Sequence, residues 1–136
     1  SKNELKTDMI KDLIHQASDL GCLSVRFTGG EPLLRDDFDE IYTFTRKNGF
    51  FVSLSTNARL LTLERIELFK TLPPRRPINI TVYGMQKESY ERVSGVQGSF
   101  DEFRQGVQRL ADNHIEFCLS MAMLPQNRQD IPAFEN

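Results

Sequence analysis

The chain has 136 residues, 39% hydrophobic and 26% charged, enough for one domain with a real core and too poor in cysteine for a disulfide scaffold. A formal charge of -2 and a pI near 5.7 weigh against a general nucleic-acid surface. No apolar run is long enough to span a bilayer and "SKNELKTD" lacks the apolar stretch of a signal peptide, so a cytoplasmic protein with no membrane partner is expected.

Ile10, Leu13, Ile14, Ala17 and Leu20 share the spacing of one helix face, with Thr7 as N-cap and Gly21 as stop. In "LSVRFT" the pattern changes to alternation, Leu23, Val25 and Phe27 on one side of a strand and Ser24, Arg26 and Thr28 on the other. After "GGEPLLRD" a second helix is predicted with Asp37 and Glu40 as a capping box, Phe38, Ile41, Tyr42 and Thr45 along its face, and Gly49 at its end. "FFVSLST" from Phe50 or Phe51 is the next strand. Thr62 opens a helix carrying Leu63, Ile66 and Phe69, which Pro73 and Pro74 forbid from continuing. "INITVY" is the third strand, with Ile78, Ile80 and Val82 opposite Asn79, Thr81 and Tyr83. A short helix around Ser89 to Val93 follows, then one opened by a Ser99–Glu102 capping box and carrying Phe100, Phe103, Val107, Leu110 and Ala111. "IEFCLSMAM" is the fourth strand, and "QDIPAFEN" reads as the start of a further helix.

Helix and strand alternating four times imply an α/β fold with a parallel sheet and right-handed crossovers. Sheets covered on both faces read as continuous apolar runs, whereas every strand here keeps one polar side. That favours a partial (β/α) barrel of about four parallel strands whose concave face looks into a polar cavity. An ordinary sheet with one solvated side is the bland alternative. The absence of a strand before the first helix points to a piece of a longer protein, whose open sheet edge and apolar surface would permit self-association.

Ligands of parallel β/α folds sit beyond the C-terminal ends of the strands. "TGGEP", "STN" and "TVYG" occupy those ends. Gly29 and Gly30 let a ligand approach the backbone, Glu31 offers an acceptor to an ammonium group, and Pro32 stiffens the exit. A phosphate would suit the glycines but be repelled by Glu31; a ligand with an amino group beside a carboxylate fits better. Cys22 and Cys118 form no CxxC pair and are expected to be free, partly buried thiols. His15 and His114 read as surface residues, and the pair Arg75 and Arg76 as solvated charge or a contact for an acidic partner.

"TGGEPLLR", "STN" and "ITVYG" followed by "SYERVSGVQGSFDEFRQGVQRL" together resemble the radical S-adenosylmethionine enzymes, most closely the SPASM type that modifies peptides or proteins. The resemblance implies that Gly29, Gly30, Glu31 and Pro32 bind the methionine amino group of S-adenosylmethionine, that Thr56 and Asn57 lie near the methionine moiety, and that Thr81 lies near the ribose. Arg26 would contact substrate or join a structural ion pair, and Tyr83 and Met85 would border the adenine or substrate side or pack. It further implies a [4Fe-4S] cluster, a peptide or protein substrate, and an electron donor such as flavodoxin or ferredoxin. The CxxxCxxC loop that holds such a cluster is absent from these residues, and Cys22 and Cys118 do not replace it. The chain is therefore expected to carry no cluster and no catalytic residue of its own, and to be inactive alone. Two further readings remain: a binding module that kept the fold without the chemistry, and a different β/α-barrel enzyme for a phosphorylated ligand.

Overall fold

The computed structural model describes residues 4–135. In chain order the elements are α1 (Thr7–Asp19), β1 (Ser24–Phe27), α2 (Phe38–Lys47), β2 (Phe51–Thr56), α3 (Leu63–Thr71), β3 (Ile78–Val82), α4 (Lys87–Ser94), α5 (Ser99–Asp112), β4 (Phe117–Met121) and α6 (Ile131–Phe134), with a 3-10 turn at Pro32–Leu34 and another at Arg128–Asp130. All strands run parallel in the order β1-β2-β3-β4, each beside its predecessor in the chain, which is the winding of a barrel segment rather than of a doubly wound sheet.

The alternation of the strands decides which face is dry. Val52, Leu54, Ile78, Ile80 and Val82 are buried under helical residues that include Phe38, Tyr42, Ile66, Phe69, Tyr90, Phe103 and Leu110. Tyr42 and Phe69 meet edge to face at 5.1 Å, and Tyr90 stacks on Phe103 at 4.9 Å. Each such ring or branched chain removed from water contributes about 1.5–3 kcal/mol. The opposite face carries Ser24, Arg26, Ser53, Ser55, Asn79, Thr81, Cys118 and Ser120, none of them buried. It is the polar concave wall that the sequence pattern implies.

Several local expectations are corrected. Thr7 is the first helical residue rather than the N-cap, and its hydroxyl donates to Asp37 at 2.6 Å. Asp37 does not form a capping box with Glu40. Arg35 holds its carboxylate at 2.8 and 2.9 Å, which lowers the pKa of Asp37, and Glu40 instead pairs with Lys11. The Ser99–Glu102 box is also absent. Ser99 lies inside the helix donating to the Val96 carbonyl at 2.7 Å, and Glu102 takes Arg59 at 2.7 Å. Leu13, Leu20, Leu23 and Leu63 are exposed, so the α1 core face reduces to Ile10, Ile14 and Ala17 against Ile41 and Phe50. Both cysteines are exposed rather than partly buried.

Candidate functional site

Three strand ends and the glycine turn converge on one hollow. Thr28, Gly29, Gly30, Glu31, Ser55, Thr56, Asn57, Thr81 and Tyr83 line a space of about 220 Å³. Six of the seven expected site residues thus share one cavity. The seventh, Pro32, lines an adjoining hollow with Gly30, Glu31 and Arg35. The larger depression bounded by Lys70, Pro74, Arg76 and His114 opens at the other end of the strands, remote from this site.

Glu31 is the hub. Its Oε1 accepts from the Thr56 hydroxyl at 2.6 Å and the Leu33 N–H at 3.1 Å, and its Oε2 accepts from the Asn57 N–H at 2.7 Å. The carboxylate therefore ties the exit of β1 to the exit of β2. A carboxylate offers about four lone-pair directions, so three protein donors leave it room for one more, together with its negative charge. Thr56 is almost fully buried at 2% exposure and spends its hydroxyl proton on Glu31, so it orients the carboxylate from behind.

Backbone geometry supports close approach of a ligand. Gly29 sits at φ +121, a conformation that side chains rarely adopt. Gly30 has no such constraint, and a Cβ built on it would touch nothing within 4 Å. No described residue occupies the space that a side chain at Gly30 would take. A phosphate in this hollow would face the charge of Glu31.

The exit of β2 is fixed by contacts that periodicity does not reveal. Asn57 Oδ1 accepts from the Arg59 N–H at 3.0 Å, Ala58 takes φ 65, and a Cβ on Gly106 of α5 would stand only 1.9 Å from the Ala58 carbonyl oxygen. The exit of β3 is held from the segment after β4. Asn127, fully buried, donates to the carbonyls of Tyr83 and Ala122, both at 3.0 Å. Asp130 accepts from the Met85 N–H at 2.7 Å and from the Ser89 hydroxyl. Both residues lie in a polar turn where sequence alone gives no sign of burial.

The Arg26 side chain joins no ion pair or hydrogen bond among the described residues. Tyr83 packs against Tyr90 at 5.3 Å while lining the hollow, and Met85 packs on the core. His15 and His114 are exposed. Among the described residues no three His, Cys, Asp or Glu side chains come together as metal ligands. Cys22 precedes one edge strand and Cys118 lies on the other, so these residues do not fit an iron-sulfur cluster. An amino-acid-like ligand does fit: the open carboxylate position, the bare glycine backbone and Thr81 face one cavity. At about 220 Å³ that cavity is below the roughly 300–1,000 Å³ of whole-ligand pockets and has room for only one end of a larger molecule. No described helix is long and apolar enough to cross a membrane.

Residues 1–136 match the Radical SAM superfamily, and the chain belongs to it. Members of that superfamily work with S-adenosylmethionine and a [4Fe-4S] cluster. The chain is 30% identical over 132 residues to the Fe-coproporphyrin III synthase of Methanosarcina barkeri, covering 97% of this chain and 33% of that protein. It is 26% identical to the PqqA peptide cyclase of Bradyrhizobium diazoefficiens, with 97% and 34% covered. In fold it is similar to SuiB of Streptococcus suis, with a TM-score of 0.81 at 19% identity, covering 98% of this chain and 31% of SuiB. SuiB bound to its precursor peptide SuiA gives a TM-score of 0.77 at 17% identity, over 97% and 30%. The chain spans about a third of the length of the curated relatives it matches.

Proposed function

We propose that the full-length protein containing this chain is a radical S-adenosylmethionine enzyme of the SPASM type that acts on a peptide or protein, and that this chain supplies the wall receiving the methionine and ribose ends of the cofactor. The observation that carries the reading is the Glu31 carboxylate, fixed by three donors at the rim of a hollow floored by bare glycine backbone. An ammonium group takes the remaining acceptor direction, Gly29 and Gly30 admit the amino-acid backbone, and Thr81 faces the ribose side. S-adenosylmethionine, once bound and reduced, supplies hydrogen abstraction. The chain's own part is to hold that molecule in one orientation and keep the polar wall beside it for substrate. The cluster belongs to a CxxxCxxC segment of the full-length protein, and the electron to a flavodoxin- or ferredoxin-like donor. The PqqA peptide cyclase relative and the peptide-bound SuiB neighbour are the support for a peptide substrate.

The test is binding of S-adenosylmethionine to the full-length protein by equilibrium dialysis, followed by anaerobic reconstitution and assay for 5'-deoxyadenosine. Retention of the ligand is expected, weakened by at least about tenfold in Glu31→Gln, since an amide carries no charge and turns its NH2 toward a donor. Equal affinity in wild type and variant, or no 5'-deoxyadenosine from the reconstituted protein, would overturn the reading.

A further inference from the structure

Among the described residues two buried polar side-chain atoms have no hydrogen-bond partner, the Tyr90 hydroxyl and Asp130 Oδ1. Asp130 still accepts two hydrogen bonds through Oδ2, so Tyr90 is the buried polar side chain left wholly unbonded. Its ring accounts for its place in the fold, stacking on Phe103 at 4.9 Å and tilting against Phe100 at 5.6 Å. A phenylalanine would make the same ring contacts. A buried hydroxyl without a partner lowers stability, so packing gives no reason for the oxygen.

The surroundings of that oxygen are those of the cofactor hollow. Tyr90 tilts against Tyr83 at 5.3 Å, and Tyr83 lines the hollow with Glu31 and Thr81. Beyond burial, which pushes the Tyr90 pKa up, the groups that act on its phenol are Tyr83, Arg59, Glu31 and Glu102. They stand at the exits of β3, β2 and β1 and in the first turn of α5. The Tyr83 hydroxyl likewise makes no hydrogen bond among the described residues. No lysine or arginine among the described residues lines the hollow. An amino-acid-like ligand that gives its ammonium to Glu31 therefore meets only neutral donors with its carboxylate, and a phenol is the most acidic hydroxyl among them.

We propose that Tyr90 is a positioning residue of this hollow: with an amino-acid-like ligand bound, its hydroxyl donates to the Tyr83 oxygen, and Tyr83 donates its own proton to the ligand's carboxylate. This rests on the cofactor reading above and assigns the carboxylate of the ligand, for which that reading names no partner. Tyr90 then stands to Tyr83 as Thr56 stands to Glu31, a buried hydroxyl behind a side chain that faces the ligand. A hydrogen bond received by the Tyr83 oxygen polarises its O–H and strengthens the bond passed on to the carboxylate.

The experiment measures retention of S-adenosylmethionine and of its decarboxylated analogue in equilibrium dialysis, with the full-length protein as wild type, Tyr83→Phe, Tyr90→Phe and the double variant. Tyr83→Phe is expected to weaken S-adenosylmethionine binding by about tenfold and Tyr90→Phe by about threefold, with the double variant no weaker than Tyr83→Phe alone. Neither substitution is expected to change affinity for the analogue, which has no carboxylate. The urea midpoint of Tyr90→Phe should not fall below that of the wild type, which separates the effect from loss of fold. Equal retention of S-adenosylmethionine by wild type and Tyr90→Phe, an equal loss for both compounds, additive losses in the double variant, or a lowered midpoint overturns the proposal. Any of these outcomes with a wild type that retains S-adenosylmethionine leaves the cofactor reading standing, whereas a wild type that binds neither compound overturns both.

Discussion

At the scale of single residues, the site depends on a division of labour between side chains that face the hollow and side chains that hold them. Glu31 faces it; Thr56 stands behind with its hydroxyl 2.6 Å from Oε1 and also accepts from the Ala58 N–H at 3.2 Å. Thr56→Val keeps the shape and deletes both hydrogen bonds, leaving a buried N–H without an acceptor. A loss of about 1–3 kcal/mol is expected in urea denaturation. Weaker S-adenosylmethionine binding should accompany it, because Glu31 retains two of its three donors; unchanged affinity would show that Thr56 serves stability alone. The types of these residues and their places at strand ends were legible in the sequence, since "GGEP" and "STN" follow alternating runs. What could not be read is which atom holds which, because the Glu31–Thr56 bond spans 25 positions and periodicity carries no information about pairings at that range. Asn127 and Asp130 were illegible for a related reason: polar residues beside a proline signal a turn, and only the folded chain shows that this turn closes over the exit of β3.

At the scale of elements, hydrophobic spacing located the four strands and the longer helices, and Thr62 caps α3 as expected, while the two capping boxes misled. A capping box needs its serine or aspartate to lack better partners. Asp37 had Arg35 two residues away, and the Gly98 turn moved the start of α5 so that Ser99 fell inside the helix. The same α5 packs tightly on the β2 exit, where a Cβ built on Gly106 would fall 1.9 Å from the Ala58 carbonyl oxygen. Glycine in a helix interior costs about 1 kcal/mol relative to alanine, so Gly106→Ala would stabilise an isolated helix. Here the added methyl requires α5 or the β2 exit to move. Net destabilisation of about 1–3 kcal/mol is expected, read as a lower thermal midpoint. Gln105→Ala, exposed on the same helix, is expected to leave the midpoint nearly unchanged, and a Gly106→Ala protein as stable as wild type would refute the tight contact.

At the scale of the molecule, a parallel sheet with one dry and one polar face followed from alternation, and the strand order β1-β2-β3-β4 made it a barrel segment. The two sides of that sheet differ in how they respond to alkali. Tyr42 and Tyr90 are fully buried on the helical side, and burial pushes the pKa of each phenol well above its ordinary value. In the unfolded chain both ionise near pH 10, whereas in the folded chain they keep their protons. Above about pH 10 the unfolded state therefore binds fewer protons than the native state, and stability falls as pH rises. Tyrosinate absorbance and far-ultraviolet circular dichroism followed together should show these two phenols ionising only as helix signal is lost; full ionisation of all three tyrosines of the chain with native dichroism would contradict the packing. The pair also separates burial from bonding. Tyr42 donates to the Leu72 carbonyl at 2.6 Å, while the Tyr90 hydroxyl is buried with no partner among the described residues. Tyr42→Phe is accordingly expected to cost about 1 kcal/mol by leaving that carbonyl without its donor. Tyr90→Phe removes an unsatisfied hydroxyl and keeps the ring that Phe103 stacks on, so its urea midpoint should match or exceed that of the wild type.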